Sequence, residues 1–336
     1  RQRQMCIRDR LEAMRKRVQA GEQVILLQNR RGFHTVYHCR DCGKSYQCDD
    51  CSVSMTFHKK AGELRCHYCG KSAAPPRQCP YCESYNIHAH GVGTQQVEER
   101  LTLEMPNVRL IRMDYDTTKT KNAHVRILQA FENCEYDVLL GTQMIAKGLD
   151  FSNVTLVGVI NADVGLSLPD FRAGERLFQL LYQVAGRAGR GEKAGQVIIQ
   201  SYTADHPLIL MAAQQRLREY YNLELAARSN LQYAPFSRMA MLRISSKDEA
   251  QAQEAAEEIG RRLRSAVTPF IILGPAQAAV YKIQNHYRWQ ILLKAPRNNI
   301  AAVEKMRSVL KMLITDKKAI SASVQLTITI DPYSTL

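Results

Sequence analysis

The chain has 336 residues, room for about two domains of roughly 150 residues each, and its 45% hydrophobic and 23% charged content is that of a globular protein, not a disordered one. Its 46 basic against 32 acidic side chains leave a formal +14, a field that favours phosphate polymers or acidic membranes. No apolar run reaches the ~18 residues of a membrane span, no basic amphipathic helix stands out, and the polar start is no signal peptide. The expectation is therefore a soluble cytoplasmic protein, with nucleic acid the leading partner and no membrane.

In chain order, residues 1–10 carry four arginines and no apolar period. They are expected to be a disordered or non-native leader, with a helix beginning at Leu11. The chain starts at Arg1 without an initiator Met, so a fragment of a longer protein is expected. Val24–Gln28 reads as a strand from its β-branched, apolar content.

Ten cysteines follow a pattern. Eight form four C-x-x-C pairs within residues 39–82: Cys39/Cys42, Cys48/Cys51, Cys66/Cys69 and Cys79/Cys82; only Cys6 and Cys134 stand outside. A two-residue gap lets two thiolates reach one tetrahedral ion from a tight turn. Asp41-Cys42-Gly43, Tyr68-Cys69-Gly70 and Cys79-Pro80-Tyr81-Cys82 supply the turn residues. Disulfides are disfavoured in a reducing compartment. Two four-cysteine zinc sites are predicted, structural because no coordination position stays open, and His38, His58 and His67 are read as ordinary histidines beside them. Each such centre carries −2, lowering the formal +14 to about +10. Spacing alone allows sequential, cross-braced or nested pairing. The flanks favour nesting: the segment is an excursion that leaves after one strand and returns before a helix over Val97–Leu103. Its first and last knuckles then share one ion, Cys39/Cys42/Cys79/Cys82, around an inner set, Cys48/Cys51/Cys66/Cys69.

Beyond the cysteines the pattern alternates: strand Val108–Met113, helix Ala123–Phe131, strands Tyr136–Leu140 and Val154–Ile160, helix Arg172–Val184, strand Val197–Ser201. Such alternation predicts an α/β fold with a doubly wound parallel sheet, whose ligands bind beyond the carboxyl ends of the strands. Two segments lie where that rule points. Gly141-Thr142-Gln143 to Lys147-Gly148-Leu149-Asp150 follows a strand, and Gln183-Val184-Ala185-Gly186-Arg187-Ala188-Gly189-Arg190 ends a helix. Two arginines three residues apart among small residues can both face one polyphosphate.

These segments resemble motifs V and VI in the second RecA-like lobe of superfamily 2 helicases. The order Asn29-Arg30-Arg31-Gly32, four knuckles, Gly91-Val92-Gly93-Thr94-Gln95 and then those motifs is similar to the primosomal N-prime family of replication-restart DNA helicases, over residues 11–336. The resemblance implies that Arg187 and Arg190 face the ATP phosphates, one of them as an arginine finger, with Gln183 at the γ-phosphate and Gly148 and Asp150 on the nucleotide side. It implies DNA contacts from Asn29, Arg30, Arg31, Thr94, Gln95, Gly141, Thr142 and Gln143. The implied partners are branched and single-stranded DNA, a single-stranded-DNA-binding protein, and primosome or helicase-loading proteins, in a bacterial, nucleoid-associated cytoplasmic setting.

The sequence contains no G-x-x-x-x-G-K-[ST], and Asp248-Glu249-Ala250-Gln251 lies after motifs V and VI, where it reads as a helix cap. ATP with Mg²⁺ would then be used only together with a separate first lobe, and this chain alone should be inactive. The organisation expected is 1–10 leader, 11–38 start of helicase lobe 2, 39–88 zinc insertion, 89–228 remainder of the lobe, and 229–336 a small α+β domain of split βαβ type. Its strands are expected at Met239–Ile244, Ile271–Leu273, Ala278–Ile283, Trp289–Lys294 and Val324–Ile330, and its helices at Glu249–Ala266 and Ile300–Leu313. Lys282, His286, Tyr287, Arg288 and Trp289 combine cations with stacking surfaces, and Arg288 and Trp289 are DNA candidates. The insertion and its approach are rich in cations, among them Arg30, Arg31, Arg40, Lys44, Lys59, Lys60 and Arg65, and a rigid basic projection is expected. The alternative reading is a non-enzymatic zinc module that binds nucleic acid or a partner protein.

Overall fold

The computed structural model of the chain describes residues 2–28, 35–39, 41–42, 46–49, 55–58, 62–66, 71–90, 94–115, 117–142, 145, 151–166, 170–186, 194–201, 203–265, 269–315 and 321–335. Two compact units emerge. Residues 1–33, 91–168 and 172–222 form the first, and residues 34–90, 169–171 and 223–336 the second. None of the described helices is long and apolar enough to cross a membrane.

The chain enters through α1 (Gln2–Gln19) and β1 (Gln23–Leu27). The leader expected to lack structure is helical from Gln2: Arg10 is buried and its Nη1 donates to Gln200 Oε1 at 2.6 Å. Leu11 and Met14 join an apolar cluster with Val24 and Leu26. A helix that must seat Leu11 and Met14 extends backwards at little cost through Arg, Gln and Met, which are good helix formers. Five short strands follow, β2 (Thr35–Cys39), β3 (Thr56–His58), β4 (Glu63–Arg65), β5 (Ser72–Ala73) and β6 (Ile87–His90). They pair antiparallel in the order β5-β4-β3-β2-β6.

Alternation then sets in with α2 (Thr94–Glu104), β7 (Leu110–Met113), α3 (Ala123–Glu132), β8 (Val138–Gly141), β9 (Val154–Val159), α4 (Asp163–Leu166), α5 (Ala173–Ala185) and β10 (Gln196–Ile199). Helices α6 (Pro207–Ala213) and α7 (Leu217–Asn230) close the segment; Pro207 opens α6 and the His206 ring accepts the Leu208 N–H, a cap not anticipated from the sequence. Among the described residues the first unit holds a five-stranded parallel sheet, β10-β9-β1-β8-β7, the doubly wound α/β lobe expected. Every residue of β1, β8 and β9 is buried, as parallel strands covered on both faces must be. Alternate residues serve alternate faces. Val24, Leu26, Val138 and Leu140 meet Leu11, Met14, Val97 and Leu101 on one side; Ile25, Leu27, Leu139 and Val157 meet Phe131, Leu177, Phe178 and Leu181 on the other. Phe178 is fully buried and stacks on Tyr220 with ring centroids 3.8 Å apart.

The rest of the chain is β11 (Ser237–Ser246), α8 (Glu249–Ser265), β12 (Ile271–Ile283), β13 (His286–Pro296), α9 (Ile300–Thr315) and β14 (Val324–Ile330). The sheet order is β12-β13-β11-β14, all pairs antiparallel, which is the split βαβ arrangement. The apolar sides of α8 and α9 (Ala256, Ile259, Leu263, Met306, Leu310) pack with Leu242, Ile244, Ile291 and Leu293. Two strands expected at 271–273 and 278–283 are one. Gly274-Pro275 reads as a break, but it sits in an irregular stretch of an edge strand, where a residue without an N–H is tolerated. Gly274 has φ +96°, and a Cβ there would lie 2.7 Å from the Gln290 carbonyl oxygen.

The cysteine-rich sheet groups with this antiparallel domain in the second unit. Among the cations expected on the insertion, Arg65 pairs with Glu63 at 2.5 Å.

Removing the Phe178 ring should cost the first unit about 3–5 kcal/mol. Phe178→Ala is expected to lower the urea midpoint of the cooperative transition followed by far-ultraviolet circular dichroism.

Candidate metal centre and phosphate-facing edge

The outer cysteines come together because β2 and β6 pair. Cys39 ends β2 opposite Ile87, and both Cys39 and Cys79 are buried with that residue in one cluster. The Sγ atoms of Cys39, Cys42, Cys79 and Cys82 all lie within 4.8 Å of one another. Cys39 to Cys82 and Cys42 to Cys79 are each 3.7 Å apart. Four sulfurs at about 2.3 Å from a tetrahedral ion are separated by roughly 3.8 Å, whereas a disulfide requires about 2.05 Å. The spacing fits a four-thiolate zinc site. A hydrogen-bonded tie joins the two knuckles: the Asp41 carboxylate accepts from Ser84 Oγ and, at 2.8 Å, from Asn86 Nδ2.

Electrostatics gives the same answer. The backbone N–H of Cys42, opposed by burial and helped by the N–H of Asp41 and two neighbouring thiols, draws the Cys39 thiol down to about 7. At Cys82 the Ser84 N–H works in the same direction, yet burial and the thiols of Cys42, Cys39 and Cys79 push it up to about 12. Four sulfurs this close cannot all ionise without a cation among them, and a dication supplies that charge.

Of the inner set, Cys48 and Cys66 are buried in one cluster with Met55 and Leu64. The Cys66 N–H donates to Lys71 O at 2.8 Å and the Met55 N–H to Tyr46 O at 3.0 Å. Cys51, Cys69 and His67 lie outside the described residues, and His58 is half-buried on β3.

In the first unit the strands run parallel, so their carboxyl ends share an edge. Hydrogen bonds lace that edge: Gln28 N–H to Gly141 O at 2.8 Å, Ile160 N–H to Leu27 O at 2.8 Å, and Gln200 N–H to Val159 O at 2.9 Å. Glycine is required at 141, because a Cβ would stand 2.5 Å from the Met113 carbonyl oxygen. Thr142 follows and accepts the Ile145 N–H. Thr94 opens α2, and its Oγ1 donates to Asp114 Oδ2 at 2.7 Å, just past β7. Gln95 Nε2 reaches Glu99 Oε1 at 3.3 Å. Helix α5 buries Leu177, Leu181 and Val184 and leaves Gln183 exposed on its last turn. Asn29, Arg30, Arg31, Gln143, Gly148, Asp150, Arg187 and Arg190 lie outside the described residues, as do Arg40, Lys44, Lys59 and Lys60.

Two acids on this edge went unnoticed in the sequence. Asp114 takes Thr94, the Arg112 guanidinium at 2.8 Å and the Thr117 N–H at 3.0 Å. Asp163 Oδ1 accepts from Ser201 Oγ at 2.7 Å and Thr203 Oγ1 at 2.8 Å. Each stands within four residues of a strand end, and that position is the signal that would have found them. Asp248 caps α8 as expected, accepting the Gln251 N–H at 3.1 Å. Arg288 Nη1 donates to Val280 O at 3.3 Å, and Trp289 packs against the core beneath α8 and α9.

Three family models match the chain: the primosomal protein N C-terminal domain over residues 229–333, the PriA DNA helicase Cys-rich region domain over 48–73, and the helicase conserved C-terminal domain over 81–192. The chain is 43% identical to replication restart protein PriA of Bacillus subtilis over 326 residues, covering 96% of this chain and 40% of that protein. The protein of the same name from Synechocystis is 41% identical over 93% of this chain and 37% of its own length. That of Treponema pallidum is 43% identical over 85% and 44%. The chain therefore spans well under half the length of the curated relatives it matches.

Elemental analysis should return two zinc ions per chain. Cys79→Ser should reduce this to one, and Cys134→Ser should leave both.

Proposed function

We propose that this chain, which belongs to the family of the replication restart proteins PriA, is the second motor lobe, zinc region and C-terminal domain of an ATP-dependent 3′–5′ DNA helicase acting at stalled replication forks. The observation that supports this reading is the carboxyl edge of the parallel sheet. Gly141 and Thr142 leave it at β8, Thr94 is fixed beside it by Asp114, and α5 carries an exposed Gln183 on the turn before the two-arginine segment. A zinc-dependent binding module has no use for such an edge.

In this reading Arg187 or Arg190 is the arginine finger that neutralises charge developing on the transferred phosphoryl group. Gln183 orients toward the γ-phosphate, and Gly148 and Asp150 line the nucleotide side. Mg²⁺ and ATP would be held chiefly by a P-loop lobe preceding these residues, and the ion would neutralise the β- and γ-phosphates. Asn29, Arg30, Arg31, Thr94, Gln95, Gly141, Thr142 and Gln143 follow the backbone of the tracked strand, and Arg288 adds a cation in the C-terminal domain. The zinc ions are structural, since eight thiolates leave no open coordination position. Branched and single-stranded DNA are the substrates, a single-stranded-DNA-binding protein and helicase-loading proteins of the primosome are the partners, and the cytoplasmic nucleoid is the setting.

The isolated chain should not turn over ATP, and Mg²⁺-dependent hydrolysis by it would overturn the reading. Grafted in place of the matching region of the Bacillus subtilis relative, it should support DNA-stimulated hydrolysis. In that chimera, alanine at whichever of Arg187 and Arg190 is the finger should reduce turnover by about 10³-fold or more. Unchanged turnover in both variants removes the role.

A further inference from the structure

The antiparallel sheet has two apolar faces, and α8 and α9 cover one of them. Alternation puts Leu242, Ile244, Ile291 and Leu293 under the helices and sends Met239, Met241 and Leu292 to the opposite face. There the cover includes a residue from much earlier in the chain: Phe171 packs with Tyr233 and Ala234 over the exposed side of that face. The Phe171 and Tyr233 rings stack 3° from parallel, with centroids 4.9 Å apart. Two cations attend the pair, the Arg228 guanidinium 5.4 Å from the Phe171 centroid and the Lys294 ammonium 3.4 Å from that of Tyr233. Lys294 is buried and donates to Leu231 O at 3.0 Å, and a desolvated cation holds a ring most strongly. Beside Phe171, the buried Asp170 carboxylate accepts from Ser334 Oγ, past the end of β14. Residues 169–171 thus belong to the antiparallel unit, whereas residues 172–222 belong to the parallel one. Arg172 caps α5, its carbonyl accepts the Arg176 N–H at 2.9 Å, and it alone separates Phe171 from the helix.

We propose that Phe171 is a positioning residue that ties α5 to the antiparallel domain, so that a shift of this helix during an ATP cycle is passed to the domain, and DNA held by the domain is felt at α5. This rests on the reading of the chain as the second lobe of a DNA-stimulated ATP motor. Two residues of backbone reach about 7 Å at most, so the link from Phe171 to Ala173 has little slack. Helix α5 moves with the lobe in which it buries Leu177, Leu181 and Val184. Gln183, near its far end, stands about 15 Å from its start at 1.5 Å per residue. A rod of that length carries movement from one end to the other, where a slack loop would absorb it. Coupling through such an element is reciprocal: whatever the socket adds to the response of α5, α5 adds to the response of the socket.

On the whole chain, hydrogen exchange over residues 172–180 should rise in Tyr233→Ala, which removes the stacking partner and leaves the link itself unaltered, while exchange over β1 and β8 stays put. Exchange indifferent to Tyr233→Ala overturns the proposal. In the chimera with the Bacillus subtilis relative, Phe171→Ala should lower DNA-stimulated kcat by about tenfold, with KM for ATP and turnover without DNA unchanged. Tyr233→Ala should give the same loss, and Phe171→Tyr should restore stimulation. The double variant Phe171→Ala with Tyr233→Ala should lose no more than either single one, because the two rings act as one interaction. Leu263→Ala, which loosens the helix-covered face of the same domain, should leave stimulation intact. Full stimulation in Phe171→Ala and Tyr233→Ala sinks the proposal, and so does an equal loss in Leu263→Ala, since the plug would then be one stability contact among several. A parent chimera without DNA-stimulated turnover sinks the motor reading, and with it the coupling to ATP, while the tie between Phe171 and α5 stands or falls by the exchange measurement.

Discussion

The constraint on which the chain depends is closure. An excursion that leaves β1 and returns to α2 must begin and end side by side, and the β2–β6 ladder does this, pairing Val36 with His90 and Cys39 with Ile87. Pairing at that register carries the first and last knuckles to one place. A link between Cys39 and Cys82 spans 43 residues, and a cross-link over a loop of that length removes about 4 kcal/mol of unfolded-state entropy in the chain-entropy treatment. The metal and the ladder therefore perform one task. The ladder alone would be marginal, since the strands of this sheet run from two to five residues.

Closure also leaves the parallel sheet free to be an uninterrupted lobe. Its three central strands are buried on both faces, so polar chemistry there is confined to the ends, and ligands of such sheets bind beyond the carboxyl ends. Gly141 shows how tightly this edge is drawn: the chain leaves β8 so close to the Met113 carbonyl that no side chain fits. Asp114 serves the neighbouring strand end in the same sense, holding Thr94 with one carboxylate while Arg112 bridges Asp114 and Glu98. The loop contacts are thus set by buried or half-buried polar groups, which hold position where solvated ones would not.

Local signals in the sequence revealed much of this. Continuous apolar runs indicated β1, β8 and β9, knuckle spacing indicated the outer cysteine pairs, and an acid three residues before Gln251 indicated the cap of α8. The failures share a cause. The start of α1, the continuity of β12 and the Asp114 network all depend on partners distant in the chain: Arg10 with Gln200, Gly274 against Gln290, Thr94 with Asp114. Composition near Arg10 reads as polar and irregular, and the half-buried acceptor at Gln200, with the core seats of Leu11 and Met14, makes a helix there favourable. Trp289 offers the converse lesson. Its neighbours Lys282, Tyr287 and Arg288 suggest a stacking surface, yet period-two alternation sends Trp289 to the helix-covered face with Ile291 and Leu293.

The two cysteine sets also differ in how they reach a core. The outer set is built from chain neighbours of one ladder, with Ile87 as its apolar partner. Around the buried Cys48 and Cys66 the strands are of three residues and two residues, too short to exclude water from buried sulfur without help. Small domains of this size meet that shortage with metal, disulfides or a borrowed surface. Here Ile283 is borrowed from the β12–β13 hairpin, and Tyr37 and Phe57, edge-on at 5.2 Å, flank the same cluster. The cysteine-rich sheet therefore shares its interior with the antiparallel domain. Its charges follow suit: Lys71 turns to Asp49 and Arg65 to Glu63, so part of the positive charge on which a basic projection would rely is spent within the sheet.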